Sequence, residues 1–279
     1  MLNFRTIAEV WPMATKDLIT PPRGVPLPWW PRFTEFVGGL RPNELTLLCA
    51  PTGAGKTQFL ANLSAQLAGM DVNHFVAPVE TGNVDFVVRV VSALEKRDLN
   101  TGDSFADHEI KKLTEKNQSL FEKTILISTH DNRVEIEEMI NTLKYMWQEY
   151  GCKVAILDNL NFFLKVVSSQ LEKAEMDNAI HEFVILAKKL PMHIILVVHP
   201  RKTLDGRVES EFDIKGSSTA VQEAANVCLF NRPKSKDIES GRYQSTDREL
   251  VFRKIRKRGT YVGKPIWFGF MQGRYLEMR

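Results

Sequence analysis

The segment Ala50-Pro51-Thr52-Gly53-Ala54-Gly55-Lys56-Thr57 constrains this chain more than any other feature. An apolar, β-type run at 45–49 precedes it, and a helical pattern at 56–68 follows. Strand, Gly-rich loop, then helix is the context of a Walker A phosphate loop. Gly53 and Gly55 let backbone N–H groups turn toward phosphate oxygens, and the helix N-terminus adds a positive dipole end. Lys56 is placed to reach the β- and γ-phosphates, and Thr57 to hold Mg²⁺. The first glycine of the usual pattern is Ala50 here, a mild departure. Pro51, Thr52, Gly53, Ala54, Gly55, Lys56, Thr57 and Gln58 are the candidate nucleotide-binding residues.

The rest of the pattern alternates. β-type runs at 45–49, 74–79, 124–128, 154–157, 194–198 and 227–230 are separated by helical stretches at 56–68, 84–96, 134–150, 171–189 and 219–225. Several runs are apolar throughout, which fits a parallel sheet covered on both faces. Gly151 stops the third helical stretch at its C′ position. After 249 the chain turns strand-rich, at 250–255, 265–270 and 275–277, as antiparallel additions to the sheet edge. The expected class is therefore α/β, one domain at 41–279. Residues 1–40 read as an arm: a short helix at 4–18, then Pro21, Pro22, Pro26, Pro28 and Pro31 in an extended linker.

Composition narrows the class further. The chain has 279 residues, 43% hydrophobic and 25% charged, with a net charge of +3. Those values exclude a disordered, collagen-like or disulfide-scaffold chain. Cys49, Cys152 and Cys228 form no C-x-x-C pair and sit in or beside apolar runs, so a reduced, intracellular state is expected and a zinc-finger site is not. No signal-peptide or membrane-spanning pattern is visible. A cytoplasmic location is expected, ahead of a mitochondrial one.

Two acidic positions and a histidine follow apolar runs. Asp158 closes the run 154–157 in Walker B form and would act on Mg²⁺. Glu80 follows the run 75–79; it either orients an attacking water or caps the turn before Gly82. His199 follows 194–198 and either senses a γ-phosphate or is a surface side chain.

With these residues in order, the sequence resembles the RecA-like helicase domain of phage primase-helicases and of the mitochondrial helicase Twinkle, and more distantly DnaB. The strings are Gly38-Gly39-Leu40-Arg41-Pro42-Asn43-Glu44-Leu45, Asp158-Asn159-Leu160-Asn161-Phe162 and Val197-Val198-His199-Pro200-Arg201-Lys202. Gly216-Ser217-Ser218 and Gln222-Glu223-Ala224-Ala225-Asn226-Val227 complete them. The similarity runs from about Gly24 to the C-terminus. It implies a RecA-like P-loop NTPase assembled as a ring, commonly a hexamer, with ATP or another NTP and Mg²⁺ bound between neighbouring subunits.

On this resemblance Glu80 matches the catalytic glutamate, Asp158 the Walker B aspartate and His199 the γ-phosphate sensor. Lys254-Ile255-Arg256 with Gly259 matches the segment that carries the arginine finger. Arg256 is then the finger, with Lys254 beside it; because Gly263 follows Gly259 by one residue more than the pattern, Arg258 stays a rival. Arg232 and Phe270 match the pair that sandwiches the base, with Phe in place of a usual Tyr. Arg201, Lys202, Arg207 and Lys215 match loops that contact single-stranded DNA through its phosphates. The helix at 4–18, with Ile7, Val10, Trp11 and Leu18, matches a linker helix that packs on the adjacent subunit.

The implied function is a 5′→3′ replicative helicase motor, served by a separate primase, loader or polymerase and acting away from membranes. Two rivals remain: a RecA-like recombination or annealing ATPase that coats single strands, and a KaiC-like regulatory ATP-binding module. The resemblance also divides the charge. Residues 251–279 hold eight Lys/Arg against one acid, and the motif assigns part of that patch to a neighbour's nucleotide rather than to DNA.

Overall fold

Apolar residues that run continuously in the sequence part to two faces once they enter the sheet. The computed structural model describes residues 5–19, 23–102, 104–129, 134–164, 169–201, 206–214 and 218–278. In chain order these form α1 (Ile7–Ile19), α2 (Pro31–Val37), β1 (Glu44–Cys49), α3 (Lys56–Ala68), β2 (His74–Ala77) and α4 (Asn83–Glu95). Then come α5 (Asp107–Lys123), β3 (Ile125–Ile127), α6 (Ile136–Tyr150), β4 (Val154–Leu157), α7 (Ser169–Lys189) and β5 (His193–Val198). The chain ends with α8 (Ser218–Glu223), β6 (Asn226–Asn231), α9 (Ser235–Glu239), β7 (Arg248–Ile255), β8 (Pro265–Met271) and β9 (Arg274–Glu277).

The strands make one sheet in the order β3-β2-β4-β5-β1-β6-β7-β8-β9. The first six are parallel, and β7, β8 and β9 add antiparallel hairpins, as the α/β reading expects. Leu45, Leu47 and Cys49 of β1 join Ile194, Leu196 and Val198 of β5 in one core, beneath α6 and α7. Leu48 of β1 and Ile195 and Val197 of β5 join Phe59 and Leu63 of α3 in the other. The period-2 alternation is hidden in sequence because both faces are covered.

Residues 24–40 depart from the extended arm. Val25 bridges to Leu40, and Pro31 opens α2, where its missing N–H costs nothing. The Glu277 carboxylate accepts the N–H groups of Arg32 and Phe33, both at 2.8 Å, and so caps that helix. Trp30 is fully buried, stacks on Phe59 at 4.3 Å and donates from its indole N–H to the Tyr275 carbonyl at 2.8 Å. This segment thus ties the C-terminal strands to the helix behind the phosphate loop. α1, by contrast, shows Ile7 at 83% and Leu18 at 72% exposure. No helix among the described residues is long and apolar enough to cross a membrane.

Two histidines are sealed into the sheet. His74 donates from Nδ1–H to the Val72 carbonyl and faces the Ser64 hydroxyl with Nε2; His193 does the same with the Arg41 carbonyl and Thr46. Burial holds both neutral and pushes each pKa down to about 4. An unfolded chain takes up these protons from about pH 6.5 downward, whereas the folded chain refuses them until about pH 4. Stability is therefore lost as pH falls through that window. We expect urea denaturation at pH 5 to show a loss on the order of 1–2 kcal/mol per histidine relative to pH 7. Equal stability at the two pH values would contradict the buried, neutral assignment.

Candidate active site

All four strand ends that carry the sequence candidates lie on the carboxyl edge of the parallel sheet, where ligands bind in open α/β folds. β1 leads into the phosphate loop, β2 toward Glu80, β4 into Asp158 and β5 into His199. In the loop, Gly53 and Gly55 have φ of 74° and 86°. A Cβ on Gly55 would also stand 2.6 Å from the Tyr275 hydroxyl, so glycine is required there on both counts.

Lys56, the first residue of α3, is only 6% exposed. Its ammonium is held between two carboxylates: it donates to Glu80 Oε2 and, at 3.0 Å, to Asp158 Oδ1. Asp158 is fully buried, and its Oδ2 is a buried oxygen without a hydrogen-bond partner. Burial pushes the Asp158 carboxyl up, and Lys56 opposes that. Glu80 behaves oppositely: His199 first, then Lys56 and Asn159, hold its carboxyl at about 2 against the upward push of burial. Glu80 is thus an ionised acceptor at neutral pH.

Glu80 does not directly end a strand. β2 stops at Ala77 because Pro78 has no N–H for the ladder, and the turn closes with Gly82 N–H donating to the Pro78 carbonyl at 2.8 Å. Glu80 sits inside that turn. His199 Nε2 lies 3.5 Å from Glu80 Oε2, and the Asn159 amide contacts both. Thr57 Oγ1 shares a hydrogen bond of 3.0 Å with Thr81 Oγ1. Thr57 and Asp158 together offer the hard oxygen donors that suit Mg²⁺, and the partnerless Oδ2 fits such a use.

The remaining candidates separate into groups. Arg232, just past β6, donates to the Gly53 carbonyl at 2.9 Å. Phe270 packs on Tyr275, ring centres 5.1 Å apart. Pro51, Thr52, Arg232, Pro233 and Ile238 border a cleft of about 680 Å³ beside the loop. Gln58 is 9% exposed and committed elsewhere: it donates to the Gly273 carbonyl at 3.0 Å and accepts from Arg89.

Lys254 and Arg256 lie at the opposite edge of the sheet. β7 runs antiparallel to β6, with Ile255 opposite Asn226 at the start of β6. The Lys254 ammonium donates to the Val221 and Gln222 carbonyls, and Arg256 donates to the Glu223 carbonyl at 2.7 Å. Both cap the end of α8. Arg258 donates to the Glu35 carbonyl of α2 at 2.7 Å. Arg207 pairs with Glu249 at 2.6 Å and Glu209 at 3.3 Å, with its side chain 12% exposed. Arg201 is exposed. Lys202 and Lys215 lie outside the described residues.

Two further side chains at the site carry no sequence expectation. Arg248 is 8% exposed and donates to the Ala54 carbonyl of the loop and to the Ser245 carbonyl at 2.9 Å. It braces the loop from the C-terminal strands, a role that one basic residue among many in a strand does not advertise. The other is Asn159, whose neighbours converge only through folding.

Residues 30–268 match the family of DnaB-like helicase C-terminal domains. Two solved structures share the fold at 15% identity, each over 99% of this chain. One is a DnaB-like replicative helicase described together with its interactions with primase, of which 68% is covered, with a TM-score of 0.75. The other is a separately solved ATPase domain, covered completely, with a TM-score of 0.77.

Proposed function

The chain belongs to the family of DnaB-like helicase C-terminal domains, and from that premise we propose that it is the NTP-hydrolysing motor of a ring-shaped replicative helicase that moves 5′→3′ on single-stranded DNA. The observation that carries the proposal is the convergence of Lys56, Glu80, Asp158 and His199 at one sheet edge, with Lys56 shared between the two carboxylates.

ATP or another NTP lies on the loop, with its phosphates against the backbone N–H groups and the start of α3. Lys56 leaves Glu80 for the β- and γ-phosphate oxygens. Glu80, freed of that ammonium and ionised, accepts a proton from the attacking water. Thr57 and Asp158 would hold Mg²⁺, which when bound would neutralise phosphate charge. His199 faces the γ-phosphate, and Arg232 and Phe270 flank the base.

Arg256 cannot complete this site within its own subunit, because it stands a strand's length away, roughly 17–20 Å for a strand of ordinary length. A neighbour's Arg256 can, which supports a ring, a hexamer by family resemblance. The exposed apolar residues of α1 then pack on an adjacent subunit. Arg201, Lys202 and Lys215 meet DNA phosphates, and Arg207 does so only by leaving Glu249 and Glu209. A separate primase is a fitting partner, alongside a loader or polymerase.

A forked duplex tests this reading. With ATP the protein should separate a fork bearing a 5′ single-stranded tail, and Lys56→Ala should not. Hydrolysis and single-strand binding without strand separation would assign the chain to the coating ATPases instead.

A further inference from the structure

We propose that Asn159 is a positioning residue that ties Glu80 to His199, so that one side-chain amide sets the glutamate's place and links it to the phosphate sensor. The inference rests on the site reading above.

The orientation of the amide is set by its own backbone. Asn159 Oδ1 accepts the N–H of Asn161 at 2.9 Å, at the start of a short 3₁₀ turn, Leu160–Phe163. Nδ2 therefore points the other way. There it donates to Glu80 Oε2 and lies 2.9 Å from His199 Nε2. One amide nitrogen thus meets both the carboxylate and the imidazole. Asn159 is itself 1% exposed, so this triangle is shielded on the amide's side.

The amide matters because of what happens to Lys56. In the structure Lys56 is the cation in contact with Glu80. Once that ammonium turns to phosphate, the Asn159 amide is the close partner left on Glu80 Oε2, with His199 Nε2 at 3.5 Å. The glutamate's backbone offers little restraint on the carboxylate, since Glu80 N–H is spent on the Asp158 carbonyl at 3.3 Å and its side chain is 29% exposed. Glu80 would then swing unless the amide held it. His199 Nε2 stands within reach of both Asn159 Nδ2 and Glu80 Oε2, so the imidazole is joined to the amide and the carboxylate at one nitrogen. A pull on the imidazole is passed through Asn159 to the base.

The local turn needs only the acceptor of Asn159, whereas positioning needs its donors. Asn159→Asp keeps an acceptor for Asn161 and loses both N–H groups; Asn159→Ser keeps a neutral acceptor and cannot span the gap. Both variants are compared with wild type for kcat and KM for ATP, affinity for a non-hydrolysable ATP analogue, stimulation by single-stranded DNA, and melting temperature.

We expect kcat to fall by about 10–100-fold, the cost of a misplaced reacting group, with KM and analogue affinity within about threefold. Stimulation by DNA should fall toward unity, and His199→Ala added to Asn159→Ser should cost little more. Wild-type turnover in both variants, a change confined to melting temperature, or fully multiplicative losses with His199→Ala would overturn the proposal. The site reading fails separately: Glu80→Gln turning over like wild type sinks it, and a wild type without turnover sinks both.

Discussion

Arg256→Ala should bind nucleotide as wild type does and lose about 10³–10⁵-fold in turnover. The expectation follows from where the residue stands. β7 carries it away from its own phosphate loop to the amino edge of the parallel sheet, beyond the Ile255–Asn226 pairing. A cation there contributes nothing to its own subunit's nucleotide. Facing a neighbour's γ-phosphate, it meets charge that develops in the transition state, which explains an effect on rate rather than affinity. To act, its guanidinium must exchange the Glu223 carbonyl for phosphate. Mixing two inactive proteins tests the geometry directly. Lys56→Ala subunits still present Arg256, and Arg256→Ala subunits still present an intact loop, so mixed rings should regain activity. If Arg258→Ala loses turnover while Arg256→Ala does not, Arg258 is the finger, released from its bond to the Glu35 carbonyl.

Glu80→Gln is the second large effect, a loss of about 10²–10⁴-fold in kcat with nucleotide affinity retained. The amide has nearly the shape of the carboxylate but cannot take a proton. His199 first, then Lys56 and Asn159, keep Glu80 ionised, and the pair it makes with Lys56 occupies that ammonium before nucleotide arrives. Removing the charge leaves Lys56 to Asp158 alone, so binding should hold or tighten. Single-turnover measurements separate the chemical step from binding. A variant that keeps wild-type kcat would return Glu80 to the role of a turn residue.

Much of this was legible because the determinants are local. A strand, a Gly-rich loop and a helix occupy adjacent positions, so the phosphate loop reads directly from order and spacing. The parallel strands read from apolar runs bounded by turns. What escaped did so for physical reasons. α5 is amphipathic but mostly polar, with Asn117 its one buried residue among those described, so no apolar stripe announces it. It leans on α4 through Lys116 and Asn117, which both donate to Glu95. α2 escaped because a proline cluster reads as a linker, although Pro31 is well placed at the first turn of a helix. Asn159 and Arg248 escaped because their partners, His199 and the Ala54 carbonyl, are 40 and 194 residues away in sequence.

The most direct test of the account is steady-state ATP hydrolysis by the assembled protein, with and without single-stranded DNA. The account predicts turnover that requires Lys56 and Glu80 and rises at least severalfold on adding DNA, because the site is completed between subunits that grip the strand. Turnover indifferent to single-stranded DNA, or no turnover from a protein that binds ATP, would contradict it and leave a regulatory nucleotide-binding module.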